Sequence, residues 1–140
     1  MKKVALIFWI SVLILDSCES DKTLNLKIPD GTYTGTFQRK HAFGLGEGTA
    51  NVSITFSSNT WTGQSDKTYF PALCNGTYEI ENNKIIFTNL CTFTANFDRS
   101  LILSGDYDFS LKSDSLIFFH NSIGPTTDAW IDKYFLSKEK

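Results

Sequence analysis

The sequence has little proline, little histidine and almost no excess of charge. It contains three Pro and two His among 140 residues, and its 13 Lys and Arg nearly balance 15 Asp and Glu. With 41% hydrophobic and 20% charged residues, the chain is too apolar for a disordered protein. Its near-neutral charge is unlike that of a general nucleic-acid binder, which needs a basic surface. These features favour a single folded domain that does not bind nucleic acid.

The first apolar run is too short for a transmembrane helix. It follows a basic start, covers residues 4–15 with Ser11 as its one polar residue, and is closed by Asp16. A helix needs about 20 apolar residues to span a bilayer, whereas a basic start and an apolar run of about 7–15 residues are typical of a secretory signal peptide. We therefore predict that residues 1–17 are a cleaved signal peptide.

The end of this run resembles the cleavage site of bacterial lipoproteins. In Leu15-Asp16-Ser17-Cys18 a small residue precedes a cysteine, which in those proteins is acylated and becomes the new N-terminus. The resemblance implies a lipid on Cys18, with residues 18–30 as lipidated cysteine and polar tether; an ordinary secreted protein is the alternative. Loss of Lys2, Lys3 and Asp16 would lower the counts to 11 basic and 14 acidic residues, so the lipid would provide the membrane attachment.

Two further cysteines, Cys74 and Cys91, form an even pair, which in an exported domain predicts a disulfide. Asn82-Asn83 stands between two strand-like runs and suits a tight hairpin turn, because Asn tolerates positive φ. That turn sets a register in which the two cysteines face each other at a non-hydrogen-bonded position, where side chains approach most closely. Two free buried thiols or a metal pair are the alternatives.

Apolar and polar residues alternate through most of the remaining chain. The alternating stretches are residues 32–38, 50–56, 76–81, 84–90 and 101–111. A period of two with one apolar face predicts half-buried strands. Turns at residues 58–59 and 112–115 would pair Phe56 with Trp61 and Leu111 with Leu116. A last strand over residues 130–136 has large apolar side chains on both faces, so its inward face stays open.

About eight short strands and no convincing helical period predict an all-β domain over residues 31–140. One apolar face on every strand has to be covered, and an antiparallel up-and-down β-barrel of about eight strands covers it without leaving exposed edges. Such a barrel is either filled by side chains or holds one small ligand. A two-sheet β-sandwich is the alternative, since the pairing of first and last strands is not legible in one sequence.

Three short segments resemble small lipocalin-like, calycin-type lipoproteins of Gram-negative bacteria. They are GTYTGTF at residues 31–37, LSGDY at 103–107 and YFLSK at 134–138. The resemblance implies a lipocalin-like barrel in the cell envelope, anchored by lipid to the outer membrane on its periplasmic or surface side. Most members of that group have no established activity. Lipocalins carry a Gly-x-Trp signature on the first strand, and the matching positions here hold Tyr33 and Phe37.

The predicted inner face is rich in aromatic residues, and this leads to two functional hypotheses. In the first, the barrel is hollow and binds a small hydrophobic ligand. In the second, the same side chains fill the barrel, and the protein acts through loops or outer surface as a protein-interaction or inhibitor module with an unidentified partner. The candidate ligand-contacting residues are Tyr33, Phe37, Phe56, Trp61, Tyr78, Phe87, Tyr107, Phe109, Phe118 and His120.

Two polar residues on the predicted inner face have alternative interpretations. His120 either orients a polar group of a ligand or is a partly exposed histidine at a strand end. Arg39 either meets a ligand carboxylate at the barrel rim or lies solvated in a loop.

The sequence predicts no enzyme, no metal and no cofactor. The glycine-rich segment 44–48 precedes a strand rather than the helix that a phosphate site requires. Neither His41 nor His120 has a second metal-ligating residue at suitable spacing on its predicted face. A modification is predicted instead, because residues 114–116, Asp-Ser-Leu, resemble an O-glycosylation acceptor of some exported bacterial proteins, with Ser115 as the site.

Overall fold

The computed structural model describes residues 26–41, 48–122 and 129–140. Within these residues eight antiparallel strands follow one another around a closed barrel, and the last strand pairs with the first. The strands are β1 (Gly31–His41), β2 (Gly48–Ser57), β3 (Thr60–Ser65), β4 (Asn75–Glu81), β5 (Lys84–Asn89), β6 (Gly105–Lys112), β7 (Ser115–Ser122) and β8 (Trp130–Lys138). The predicted eight-stranded barrel is therefore confirmed, and the sandwich alternative is wrong because β1 and β8 close the sheet.

The predicted hairpins are present in the predicted register. Phe56 lies opposite Trp61, Leu111 opposite Leu116, and Tyr78 opposite Phe87. Positive φ angles occur in each of the tight turns, at Ser58, Asn82, Asn83 and Ser113, as two-residue hairpin loops require. We call the end of the barrel with the turns 58–59, 82–83 and 113–114 the turn end. The opposite end, crossed by the connections 66–74 and 90–104, is the loop end.

The disulfide between Cys74 and Cys91 is confirmed, with 6.3 Å between the two Cα atoms. The backbone N–H of Leu90 donates to the carbonyl oxygen of Asn75, so residues 75 and 90 form a hydrogen-bonded pair. The neighbouring cysteine pair is then the non-hydrogen-bonded one, as the hairpin register predicts. The disulfide extends the β4–β5 hairpin beyond the ends of both strands.

The inner rings pack on one another through the middle of the barrel. The Phe87 ring lies at the centre of this packing, with its centroid 5.2 Å from that of Phe118 and 5.5 Å from that of Tyr107. Trp61 lies edge-on to Phe87 at 5.9 Å, and Phe118 stacks on Tyr134 at 4.4 Å. These separations are typical of aromatic pairs that attract each other beyond their burial of apolar area.

The turn end is closed by residues that precede β1. Ile28 is fully buried in the core, although it falls within the predicted tether 18–30. The Tyr33 hydroxyl donates to the Pro29 carbonyl oxygen at 3.0 Å, and the Tyr78 hydroxyl donates to the Ser58 carbonyl oxygen at 2.9 Å. The folded unit therefore includes Ile28. The predicted signal peptide and Cys18 lie outside the described residues.

The predicted strand over residues 101–111 is wrong at its start, because β6 begins only at Gly105. Residues 99–101 form a 3-10 turn capped by Asp98, whose carboxylate accepts the Ser100 N–H. Leu101 and Leu103 are nevertheless buried, which explains the alternating pattern. The segment crosses the loop end, where the Ala72 N–H donates to the Leu101 carbonyl oxygen at 2.9 Å.

Candidate functional site

The structure separates the ten predicted ligand contacts into a core group and a rim residue. Phe109 is partly buried against the core, while His120 lies partly buried at the loop end. The other eight side chains are buried and at most 5% exposed, namely Tyr33, Phe37, Phe56, Trp61, Tyr78, Phe87, Tyr107 and Phe118. Each of these eight rings contacts another ring of the core. Their role as ligand contacts stays a prediction.

Two inward-facing glycines, Gly63 and Gly76, do not leave open space beside these rings. A Cβ atom at Gly76 would lie 2.8 Å from the Trp61 Nε1 atom and 1.9 Å from the Thr88 carbonyl oxygen. A Cβ atom at Gly63 would lie 3.3 Å from the side chain of Leu73. The room that these glycines make is therefore occupied by Trp61 and Leu73.

Arg39 lies buried below the loop end and is held by two aspartates. Its Nε and Nη2 atoms donate to the two carboxylate oxygens of Asp132 at 2.6 and 2.5 Å. Its Nη1 atom donates to Asp98 and to the Ser100 hydroxyl, each at 2.9 Å, and Nη2 also donates to the Ser100 carbonyl oxygen at 3.1 Å. All five guanidinium N–H groups are thus engaged, so Arg39 fastens the 3-10 turn to the barrel.

Burial and neighbouring charges shift the pKa values of this cluster in opposite directions. Burial lowers the pKa of Arg39, but the hydrogen bonds and charge of Asp132 outweigh burial and raise it. Burial raises the pKa of Asp98, yet the hydrogen bonds from Ser100 and the charge of Arg39 outweigh this and lower it. Arg39 and Asp98 are therefore held in their charged forms, whereas burial of Asp132 outweighs the hydrogen bonds and charge of Arg39 and raises the pKa of its carboxyl group. The sequence interpretation of Arg39 did not anticipate that its carboxylate partners come from this chain.

A cavity of about 450 Å³ opens beside this cluster, and we call it the loop-end cavity. It lies where β6 and β7 diverge, since residues 105–107 of β6 pair only with β5 and residues 120–122 of β7 pair only with β8. The lining residues are Asn89, Arg99, Ser100, Ile102, Ser104, Tyr107, His120 and Trp130.

One residue of the cavity lining, Trp130, has a buried polar atom without a partner. The indole Nε1 of Trp130 is shielded from solvent and has no hydrogen-bond acceptor among the residues that the structure describes. The Trp130 ring itself is held by the Arg39 guanidinium, whose Cζ atom lies 5.0 Å from the ring centroid. Residue 130 was predicted only as the start of the last strand, and no sequence signal marked it as a site.

A second depression of about 540 Å³ lies on the outer face of β1, β2 and β3, among residues such as Thr36, Ser53 and Gln64. It is more open, and among the described side chains no buried unpaired polar atom lines it.

No group of three or more His, Cys, Asp or Glu side chains in the described ranges is arranged to hold a metal ion. The predicted glycosylation site, Ser115, is exposed at the start of β7.

Comparisons with protein-family models, with curated proteins and with solved structures found no match. The closed eight-stranded antiparallel barrel is compatible with the lipocalin-like fold that the sequence resembles. No helix among the described residues is long and apolar enough to cross a bilayer. The functional proposal therefore rests on the geometry of the site.

Proposed function

We propose that this chain is a lipid-anchored, non-enzymatic binding protein of the cell envelope that takes a small ligand in the loop-end cavity. The observation that carries the proposal is that Trp130, one of the residues lining the cavity, has a buried and unpaired indole N–H. A buried donor without an acceptor costs about 1–3 kcal/mol, so such a group in a native protein calls for an explanation, and a bound molecule that accepts its hydrogen bond is the one proposed here. A cavity of about 450 Å³ lies within the size range of small-molecule sites.

In this proposal the ligand binds at the rim of the barrel, whereas the sequence-based prediction placed it in the middle. Ring-on-ring packing around Phe87 favours a filled interior. Of the ten predicted contacts, Tyr107 and His120 line the loop-end cavity. Their ring centroids lie 5.4 Å apart. These two residues are therefore retained as ligand contacts in the proposal.

The envelope location rests on the sequence and on the disulfide. A disulfide such as Cys74–Cys91 persists in oxidising compartments outside the cytosol. Replacement of Cys18 by Ser is expected to release the protein from the membrane fraction, because the mildly acidic mature chain offers no electrostatic attachment. Fractionation of cells that express the wild type and Cys18→Ser tests this. A variant that stays with the membranes would contradict the lipid anchor.

Native mass spectrometry of the chain purified from its own membranes tests the ligand proposal. The wild type is expected to carry a small molecule, and Trp130→Phe, which keeps a ring but removes the N–H, is expected to lose most of it. Ser53→Ala, in the outer depression, is the control and should retain the ligand. A bare mass for the wild-type protein would contradict a small-ligand function.

A second candidate function is supported by exposed apolar side chains on β8. Ile131 is 46% exposed and Phe135 is 39% exposed on the outer face. Lys133 stands between them along the strand, and its Nζ atom lies 4.8 Å from the Phe135 ring centroid. This patch suits a protein-interaction module. If native gels of membrane extracts show a complex that Phe135→Glu dissociates and Trp130→Phe does not, the second function is favoured.

A further inference from the structure

The hydrogen-bonding groups of the loop-end cavity are mostly satisfied from within the chain. The Ser100 hydroxyl donates to Asp98 at 2.6 Å and accepts from Arg39. The Asn89 side chain accepts the Cys91 N–H at 3.0 Å and donates to the Cys91 carbonyl oxygen at 3.4 Å. These polar groups have little capacity left for a ligand.

Two of the groups with spare capacity, Trp130 and Arg99, are hydrogen-bond donors. Trp130 has its unpaired N–H. Arg99 has one hydrogen bond among the described residues, from Nη2 to the Phe93 carbonyl oxygen at 3.1 Å, and its side chain is exposed. The other N–H groups of its guanidinium are available. Two residues of the cavity lining therefore have unused hydrogen-bond donors, one a buried indole N–H and the other an exposed, positively charged guanidinium.

His120 is the third group with spare capacity. Its Nδ1 atom lies 2.8 Å from the Asp106 carbonyl oxygen. Because a carbonyl oxygen only accepts, Nδ1 carries the hydrogen and Nε2 of the neutral ring is left as an acceptor. Nε2 can therefore accept a hydrogen bond from a water or a ligand hydroxyl.

The acidic groups around the cavity are already paired. Asp132 and Asp98 bind Arg39, and the Asp106 carboxylate lies 2.8 Å from the Lys84 ammonium. Arg99 lines the cavity without a carboxylate within ion-pairing distance among the described residues. An anion that enters would meet that charge in a cavity whose lining also includes Trp130, the residue with the unpaired N–H. The side chains of Ile102, Tyr107 and Trp130 supply apolar surface for the rest of the molecule.

We propose that the loop-end cavity binds a small oxyanion with an apolar body, and that the oxyanion is a carboxylate hydrogen-bonded by Trp130 Nε1–H and Arg99. A single arginine beside one N–H matches a singly charged carboxylate better than a doubly charged phosphate. This inference rests on the proposed ligand function and names the chemical class of the ligand.

The test uses the full mature chain in zwitterionic nanodiscs, with empty nanodiscs as the blank. The probes are 2-naphthoate, its neutral analogue 2-naphthamide, and 2-naphthyl phosphate. Trp61 and Trp130 are the tryptophans that remain after signal removal, and their indole N–H signals are separable by 15N NMR. Trp61 already donates to the Thr77 carbonyl oxygen at 3.2 Å and serves as the internal reference.

We expect 2-naphthoate to shift the Trp130 indole signal downfield and to leave the Trp61 signal in place. Binding should weaken about tenfold or more in Trp130→Phe, in Arg99→Gln and with 2-naphthamide, because each removes a charged or buried hydrogen bond. Arg99→Lys should recover part of the affinity, since it restores the positive charge.

Other outcomes separate the two proposals. Equal binding of 2-naphthamide and 2-naphthoate would leave a ligand site but overturn its oxyanion chemistry, and tighter binding of 2-naphthyl phosphate would overturn the carboxylate. Failure of all three probes, with a small molecule still bound in native mass spectrometry, would overturn the oxyanion inference alone. Failure of the probes together with a bare native mass would overturn both proposals.

Discussion

At the residue scale, Arg39 shows how a charge is kept inside the barrel. Its side chain is 2% exposed, and the bidentate contact with Asp132 is equally shielded. Taking two ions out of water is costly, and their attraction repays the cost only when the remaining donors are also satisfied. The Ser100 hydroxyl and carbonyl oxygen accept hydrogen bonds from the Nη1 and Nη2 atoms of Arg39, so these donors are satisfied as well. Arg39 is therefore a structural residue that positions the 3-10 turn beside the loop-end cavity.

Replacement of Asp132 by Asn should lower the free energy of unfolding by about 3 kcal/mol, because it leaves the buried Arg39 charge without its main partner. Urea denaturation followed by circular dichroism measures the change. Lys84→Gln, which breaks an exposed ion pair with Asp106, is the control and should change stability little. The double variant Arg39→Met/Asp132→Leu should be more stable than Asp132→Asn. Equal stability of Asp132→Asn and wild type would refute the role assigned to the pair.

At the element scale, local signals were sufficient where a turn fixes the register. The Asn82-Asn83 turn and its alternating flanks predicted the disulfide position because each strand partner is counted outward from the turn. The start of β6 was mispredicted because Asp98 caps a 3-10 turn while Leu101 and Leu103 keep the strand-like alternation.

The sequence pattern did not show which residues of β8 point into the barrel. Apolar residues stand on both faces, and only the pairing of β8 with β7 and β1 turns Asp132 and Tyr134 inward. The ion pair of Arg39 with Asp132 joins residues 93 positions apart, beyond the reach of any local pattern. The candidate site depends on this contact, which explains why sequence reasoning found His120 and Tyr107 but neither Trp130 nor Arg99.

A substitution at Gly76 measures how closely β4 approaches β3 and β5. A Cβ atom there would lie 1.9 Å from the Thr88 carbonyl oxygen and 2.8 Å from the Trp61 ring nitrogen. Gly76→Ala should therefore lower the melting temperature by several degrees, about the effect of 1–3 kcal/mol of overpacking. Gly105→Ala is the comparison, since no atom lies within 4 Å of its Cβ position and its cost comes from a φ of 91°. Unchanged melting of Gly76→Ala would show that β4 and β5 are less closely packed than described.

At the scale of the whole molecule, the two ends of the barrel differ. Side chains close the turn end, whereas the loop end contains the loop-end cavity. Ile28 is buried at the turn end, and the rings that pack around Phe87 occupy the middle of the barrel. The 3-10 turn crosses the loop end, where residues 105–107 of β6 and 120–122 of β7 do not pair with each other. The alternation in the sequence left a hollow and a filled barrel open, and the structure combines ring-on-ring packing in the middle with a cavity at the rim.

Four of the five tyrosines lie inside the barrel, and their titration distinguishes a filled interior from a solvated one. Burial raises the pKa of Tyr78 to about 12 and also raises the pKa of Tyr33, Tyr107 and Tyr134. Since an unfolded tyrosine ionises near pH 10, the stability that these groups contribute is complete below that pH and is lost as the pH rises through the folded-state pKa.

We therefore expect the barrel to unfold cooperatively above about pH 10, with the 295 nm absorbance of tyrosinate rising together with the loss of the circular dichroism signal. Tyr78→Phe, which removes one titrating hydroxyl but also its hydrogen bond to Ser58, should make the alkaline loss of stability less steep while lowering stability at neutral pH. If the tyrosinate absorbance accounts for all five tyrosines while the circular dichroism signal is still that of the folded barrel, water reaches the inner rings. That result would favour a ligand site in the middle of the barrel over one at the rim.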